Sequence, residues 1–270
     1  MTGTFNRRLS SFAGNPVYVA KYLELALPLG ICLVIWYRKW YTRLSLGLFC
    51  ISCLTALILT GARGSWIGIF CSVVLISLIF DKRALIVLVI VCCLTPFIAT
   101  KATVRRAQAM FDVREYLKSD AKAPLTFRVT GWQAALSMIR DYPLLGVGYG
   151  KRSYARLFEK YKQHPDVEKW AHAHNTFLQV AVETGLLGLA VFVWLVATIF
   201  YHGLATFFRL TKSYEKSTLC GIVAGLSALV IHGQITHFYK LEIALLLWVV
   251  VGILFTIVHN CQKAMIGMVR

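Results

Sequence analysis

The sequence predicts an all-α membrane protein, and three observations carry that expectation. Hydrophobic residues make up 58% of the 270-residue chain, with a mean hydropathy of +0.65, whereas soluble domains lie nearer ~45–50% apolar. Several runs approach the ~20 apolar residues that cross a bilayer. The cations gather at the ends of those runs and in one long polar segment.

Taken in order, the pattern gives seven transmembrane helices. They are Pro16 to Trp36, Leu44 to Thr60, Ser65 to Phe80, Ala84 to Thr100, Asn175 to Tyr201, Ser217 to Thr236 and Leu241 to His259. The chain divides accordingly into helices one to four (1–100), a large helical loop (101–173) and helices five to seven (174–270). Short loops holding Arg38, Lys39 and Arg43, then Lys82 and Arg83, then Arg209, Lys212 and Lys216 are basic, which assigns them to the cytoplasm. The alternate connections, including the long loop, then lie on the outer side. Met1 to Asn15 is polar and basic, with no pattern of a cleavable signal peptide.

The loop is not a disordered tether. Phe127, Val129, Trp132, Ala135, Leu136 and Ile139 fall at helical spacing, so an amphipathic helix is expected over 126–139. Asp141-Tyr142-Pro143 ends it, because a residue before proline resists the helical conformation. Gly146-Val147-Gly148-Tyr149-Gly150 follows as a turn-rich connector, and a second short helix is expected over 104–117. An amphipathic helix between two spans suits an interfacial lid.

The net charge of +17 is not spread as a nucleic-acid face would be. Membrane lipids and phosphorylated glycolipids are the expected anionic partners, and nucleic acid is not. The eight cysteines lie in or at the end of apolar runs. Cys50-x-x-Cys53 has metal or redox spacing, but in a spanning helix small packing residues are the plainer reading.

The polar residues of interest gather at one membrane face. In the stretch 171–188, His172, His174, Asn175 and Glu183 stand where the loop gives way to an apolar run. Polar groups held at that boundary are a functional hypothesis by default. His174 could take a proton from a sugar hydroxyl as that oxygen attacks, and His172 could do the same. Asn175 could hold the ring or the substrate. Glu183, nine residues after His174, must face protein or a cavity and reads as support. Arg63, between Gly61 and Gly64, and Arg128, one turn before Trp132, offer guanidinium forks suited to pyrophosphate oxygens. Viewed alone, Arg63 reads better as a snorkelling interfacial anchor, and Arg128 reads equally well as part of a solvated face. His232, Gln234, His237 and Lys240 form a second polar cluster. No spacing suggests zinc and no acidic cluster a divalent ion, so neither metal nor cofactor is expected. A transporter is the alternative of another class. It predicts inverted repeats with polar residues at mid-depth, and the sequence presents neither.

Together these pieces resemble the O-antigen ligase family, which shares its domain with O-antigen polymerases and bacterial protein O-oligosaccharyltransferases. They are Asn15-Pro16 with Ala20-Lys21-Tyr22-Leu23, Thr60 to Trp66, Arg128-x-x-x-Trp132, Asp141 to Gly148, and His174 to Leu178 with Glu183 to Gly188. The resemblance implies a GT-C-like glycosyltransferase of the bacterial inner membrane with its active site facing the periplasm. The implied donor is a glycan on undecaprenyl pyrophosphate. The implied acceptor is a sugar hydroxyl of lipid A-core, and lipopolysaccharide is the product. It further implies that Arg63 and Arg128 bind the donor pyrophosphate, that His174 activates the acceptor, and that the anomeric configuration inverts. Relatives usually carry several more N-terminal spans, so a compact, truncated or alternatively started member is expected.

Overall fold

The computed structural model describes residues 15–86, 89, 93, 124–163, 167, 172–211, 213–236 and 241–269. The elements among them are helical, with no strand. They are α1 (Pro16–Trp36), α2 (Trp40–Thr60), α3 (Arg63–Ile79), α4 (Pro124–Asp141), α5 (Lys151–Tyr161), α6 (Thr176–Arg209), α7 (Tyr214–His232) and α8 (Leu241–Val269). Five of these, α1, α2, α6, α7 and α8, are long and apolar enough to cross a membrane, while α3 is apolar but only 17 residues long. The chain is thus an α-helical membrane protein. The fourth expected span, 84–100, and the expected helix over 104–117 fall largely or wholly outside the described residues.

Packing separates two units. The first comprises 1–107, 199–232 and 240–270; the second comprises 108–198 and 233–239.

In the first unit, α1 packs on α2, α3 and α7, and α7 packs on α3 and α8. Asn15 caps α1 by accepting from the Val17 amide at 2.9 Å, and Pro16 fills the first turn, where no amide donor is needed. The contact between α1 and α7 is made by small residues. A Cβ on Gly221 would lie 2.5 Å from the Leu29 Cα, and one on Gly225 3.1 Å from the Glu24 carbonyl. Gly221-x-x-x-Gly225 is therefore a groove into which the α1 backbone settles. Gly68 of α3 meets the Ala228 carbonyl as closely. Cys50 lies over Gly30, and the described cysteines are free, as packing residues would be.

Helices α2 and α3 form a tight hairpin. Gly61 ends α2 in the left-handed region (φ 62°), where a side chain is disfavoured. The Thr60 hydroxyl donates to the Leu57 carbonyl and accepts from the Ala62 amide, and the Trp66 indole donates back to Leu57. Gly61 is thus explained by the turn itself.

In the second unit, α4 packs on α5. Ala134, Ala135, Met138, Tyr154, Phe158 and Val182 form its core. The Tyr154 hydroxyl donates to the Gly131 carbonyl at 2.9 Å, and burial pushes its pKa up. Tyr161 donates to Asp141 at 2.5 Å. That bond first, and weak desolvation second, push its pKa up to about 12. Helix α4 ends at Asp141, as the following Tyr-Pro pair dictates. Of the expected apolar face, Phe127, Ala135 and Ile139 pack on this core, and the match is partial. Ala135 is buried, but Leu136 is 57% exposed, and the deeper positions are Thr130, Ala134 and Met138. Thr130 and Ala134 are short, and the Tyr154 and Phe158 rings of α5 supply bulk to the same core alongside Met138. Helix α5 carries Tyr154, Phe158 and Tyr161 at helical spacing, a period masked by the five charged residues among its eleven.

Helix α6 runs past Tyr201 to Arg209 but is broken at Gly185 (φ 70°, ψ −174°). The break is filled by the connector after α4. Val147 and Gly148 amides donate to the Val182 and Glu183 carbonyls at 2.8 and 3.1 Å, and the Leu186 amide donates to the Pro143 carbonyl at 2.7 Å. Gly146 (φ 68°) and Gly185 allow this backbone-on-backbone approach, since a Cβ on either would collide with main chain. The Pro143–Gly148 and Glu183–Gly188 motifs are thus two halves of one lock.

Candidate functional site

In the second unit the chain reaches α6 through His172, Ala173, His174 and Asn175. Asn175 is the N-cap. Its carboxamide oxygen accepts from the Phe177 and Leu178 amides at 2.9 and 3.0 Å, satisfying donors that the first turn leaves open. Its amide nitrogen donates to the Gln234 carbonyl at 3.1 Å. The Thr176 amide donates to Gly233, and its hydroxyl to Thr236. Asn175 and Thr176 therefore fasten the start of α6 to the 233–236 turn.

His174 is the one non-glycine residue with positive φ (52°) among the described residues. For an L-residue that conformation is strained, of order 1–3 kcal/mol, and persists where surrounding bonds over-determine it. Those bonds are visible. The Ala173 amide donates to Gln179 Oε1 at 2.7 Å, and Gln179 Nε2 donates to Glu183 Oε1 at 2.8 Å. The His174 amide donates to His172 Nδ1 at 3.3 Å. Glu183 and Gln179 are both buried and form a strut beneath the histidine loop. The sequence expectation of a supporting Glu183 has here a partner, Gln179, that sequence reasoning passed over. Gln179 lies one helical turn before Glu183, a spacing that could have marked it.

The two histidines differ in chemistry. Accepting from the His174 amide requires His172 Nδ1 to be unprotonated, so neutral His172 carries its proton on Nε2 and presents a donor there. The rings lie 4.2 Å apart, centre to centre. The Phe127 ring meets His174 edge-on at 5.9 Å. Phe127 precedes Arg128 on the first turn of α4, so that turn adjoins the His174 loop. Arg128 is half-buried there. Trp132 stands one turn on, its indole N–H buried and without a hydrogen-bond partner among the described residues.

Arg63 belongs to the first unit, at the first turn of α3. Two residues on, the Ser65 hydroxyl lies 3.1 Å from His232 Nδ1. The same nitrogen is 2.6 Å from Glu24 Oε1. Glu24, Ser65, His232 and Lys21 are all buried. Glu24 ties α1 to α7, and Ser65 joins α3 to the same point. A carboxylate and an imidazole inside spanning helices are tolerated only when paired. The sequence reading included His232 in a polar cluster but not Glu24, whose partner lies 208 residues away. His237 and Lys240 lie outside the described residues. Among those described, no three His, Cys, Asp or Glu side chains gather as a metal site.

Residues 48–193 match the sequence profile of the O-antigen ligase family. The chain is similar to the exopolysaccharide production protein ExoQ of Rhizobium meliloti (strain 1021). Identity is 32% over 106 residues, covering 37% of this chain and 24% of that protein. A Rickettsia felis protein named "Putative polysaccharide ligase" is 32% identical over 127 residues, covering 45% of this chain and 29% of that one. A Haemophilus influenzae protein described only as uncharacterized is 27% identical over 189 residues, 64% of this chain and 46% of its own length. The matches thus span less than half the length of each relative.

Proposed function

This chain belongs to the O-antigen ligase family, and we propose that it is a membrane glycosyltransferase of bacterial polysaccharide biosynthesis. In this reading a glycan passes from undecaprenyl pyrophosphate to a sugar hydroxyl of lipid A-core, at the periplasmic face of the inner membrane. The observation that carries the reading is His174, held in a strained conformation beside an α-helical cap, with the first turn of α4 against its ring.

The roles follow from the chemistry of each group. His174 accepts the proton of the acceptor hydroxyl as that oxygen attacks the anomeric carbon, and pyrophosphate departs from the opposite side with inversion. His172, with Nδ1 engaged, orients the loop and donates from Nε2. Arg128 and Arg63 each place a guanidinium for pyrophosphate oxygens and stabilise the charge that grows on the leaving group. The mechanism asks nothing of a metal.

Similarity to an exopolysaccharide production protein favours a second reading, an O-antigen polymerase-type transferase. It uses the same donor but extends the glycan instead of capping lipid A-core. Deletion distinguishes them. Loss of a ligase leaves lipid-linked polymer and bare core, whereas loss of a polymerase leaves core bearing a single repeat. A protein O-oligosaccharyltransferase would instead leave an unglycosylated protein. The direct test is transfer in vitro from a defined undecaprenyl-pyrophosphate glycan to lipid A-core. R63A, R128A and H174A are expected to abolish product while inserting normally, with no change on adding chelator. Full activity in H174A removes the base assignment, and full activity in both arginine variants removes the pyrophosphate role.

A further inference from the structure

The connector between α4 and α5 is apolar where a water-exposed loop would be polar. Leu144 is 63% exposed, Leu145 77% and Tyr149 77%, and Tyr142 is exposed as well. These residues are not part of a spanning helix, so the spans' own need for lipid contact does not explain them. A cluster of large exposed apolar side chains marks an interaction surface.

What covers it follows from where it is fastened. The connector is bound at the break in α6 by three backbone hydrogen bonds, Val147 to Val182, Gly148 to Glu183 and Leu186 to Pro143. Gly185 packs directly against the Leu144 carbonyl and the Leu145 amide. Helix α6 is a membrane-spanning candidate, and from Leu186 to Tyr201 its sequence carries no charge. Leu187, Val191 and Trp194 lie at i, i+4 and i+7 and are exposed, which is the stripe that such a helix turns to lipid. The exposed connector residues therefore border the start of a lipid-facing stripe. Main chain that is not helical is tolerated at that depth when protein satisfies its polar groups. Here the amides of Gly146, Val147 and Gly148 all donate to carbonyls. Tyrosines flank the two leucines, and tyrosine suits the boundary between head groups and hydrocarbon.

We propose that the Tyr142–Tyr149 connector is a membrane-inserted wedge, with Leu144 and Leu145 among phospholipid acyl chains at the margin of the bilayer beside Leu186 and Leu187. The wedge fixes α4 and the His174 loop to the membrane surface through the lock at Gly185. It does not depend on which glycosyl acceptor the protein uses.

The test places a photoreactive residue, Leu145→p-benzoylphenylalanine, in the full chain reconstituted into phosphatidylethanolamine–phosphatidylglycerol vesicles. The same residue at Leu187 reports a spanning position, and at Glu159 an exposed polar helix face. After illumination, phospholipid adducts are read by mass spectrometry. Adduct yield at 145 is expected to match that at 187 and to exceed that at 159 by about tenfold, the partition of a leucine-sized group. A yield at 145 no greater than at 159, while 187 reacts, overturns the proposal. A chain-to-chain crosslink at 145 in place of lipid adducts also overturns it, since the surface would then be an interface between copies.

Discussion

His174 has a conformation that separates its backbone from its imidazole. At φ 52° glycine sits without strain, so H174G removes the ring while leaving the loop relaxed, a cleaner deletion than alanine. Loss of a general base lowers turnover by about 10²–10⁴, and that drop is expected for H174G in the transfer assay, with thermal stability kept or raised. H172A is expected to retain most activity, since its ring serves the loop. Activity of H172A as low as that of H174G would reverse the assignment of the two rings. Both histidines, Asn175 and Arg128 were legible as candidates from residue type and position, and the family motif preferred His174 over His172. The bond that engages His172 Nδ1 was not legible, because it depends on an amide two residues away in a conformation that sequence does not reveal.

Among the elements, the break in α6 matters most. Sequence places one uninterrupted helix from Asn175 to Tyr201, straight through Gly185. The structure makes it a joint whose freed carbonyls are taken up by Val147 and Gly148. G185A forces a side chain into the left-handed region and against Leu144. It is expected to destabilise the second unit by about 1–3 kcal/mol, read as a lower midpoint of thermal unfolding in detergent. An unchanged midpoint would mean that the lock bears no load. Sequence also could not show that Asp141–Gly148 and Glu183–Gly188 are partners, since backbone-to-backbone bonds leave no trace in side-chain type beyond the glycines that permit them.

For the molecule as a whole, the first unit depends on α7 lying close to α1. G221A would set its Cβ against the Leu29 Cα and is expected to cost about 1–3 kcal/mol as an overpacked contact. G225A, with a looser fit, should cost less, and denaturant titration of purified protein gives the order. At the same contact, E24A leaves His232 without its carboxylate and is expected to destabilise by about 3 kcal/mol. E24Q still accepts from Nδ1 and should recover part of that loss; equal loss in both variants would count against the hydrogen bond as the source. By itself the sequence determined the helical class, the membrane setting and most span starts, because hydrophobic run length and interfacial charge act locally along the chain. It also yielded the family motifs, since residue type and spacing are written in order. Only the tertiary structure decided that Glu24 pairs with His232, that Gln179 braces the histidine loop and that the connector seals α6. Those are contacts between distant or hidden backbone groups, chosen by packing rather than by any local pattern.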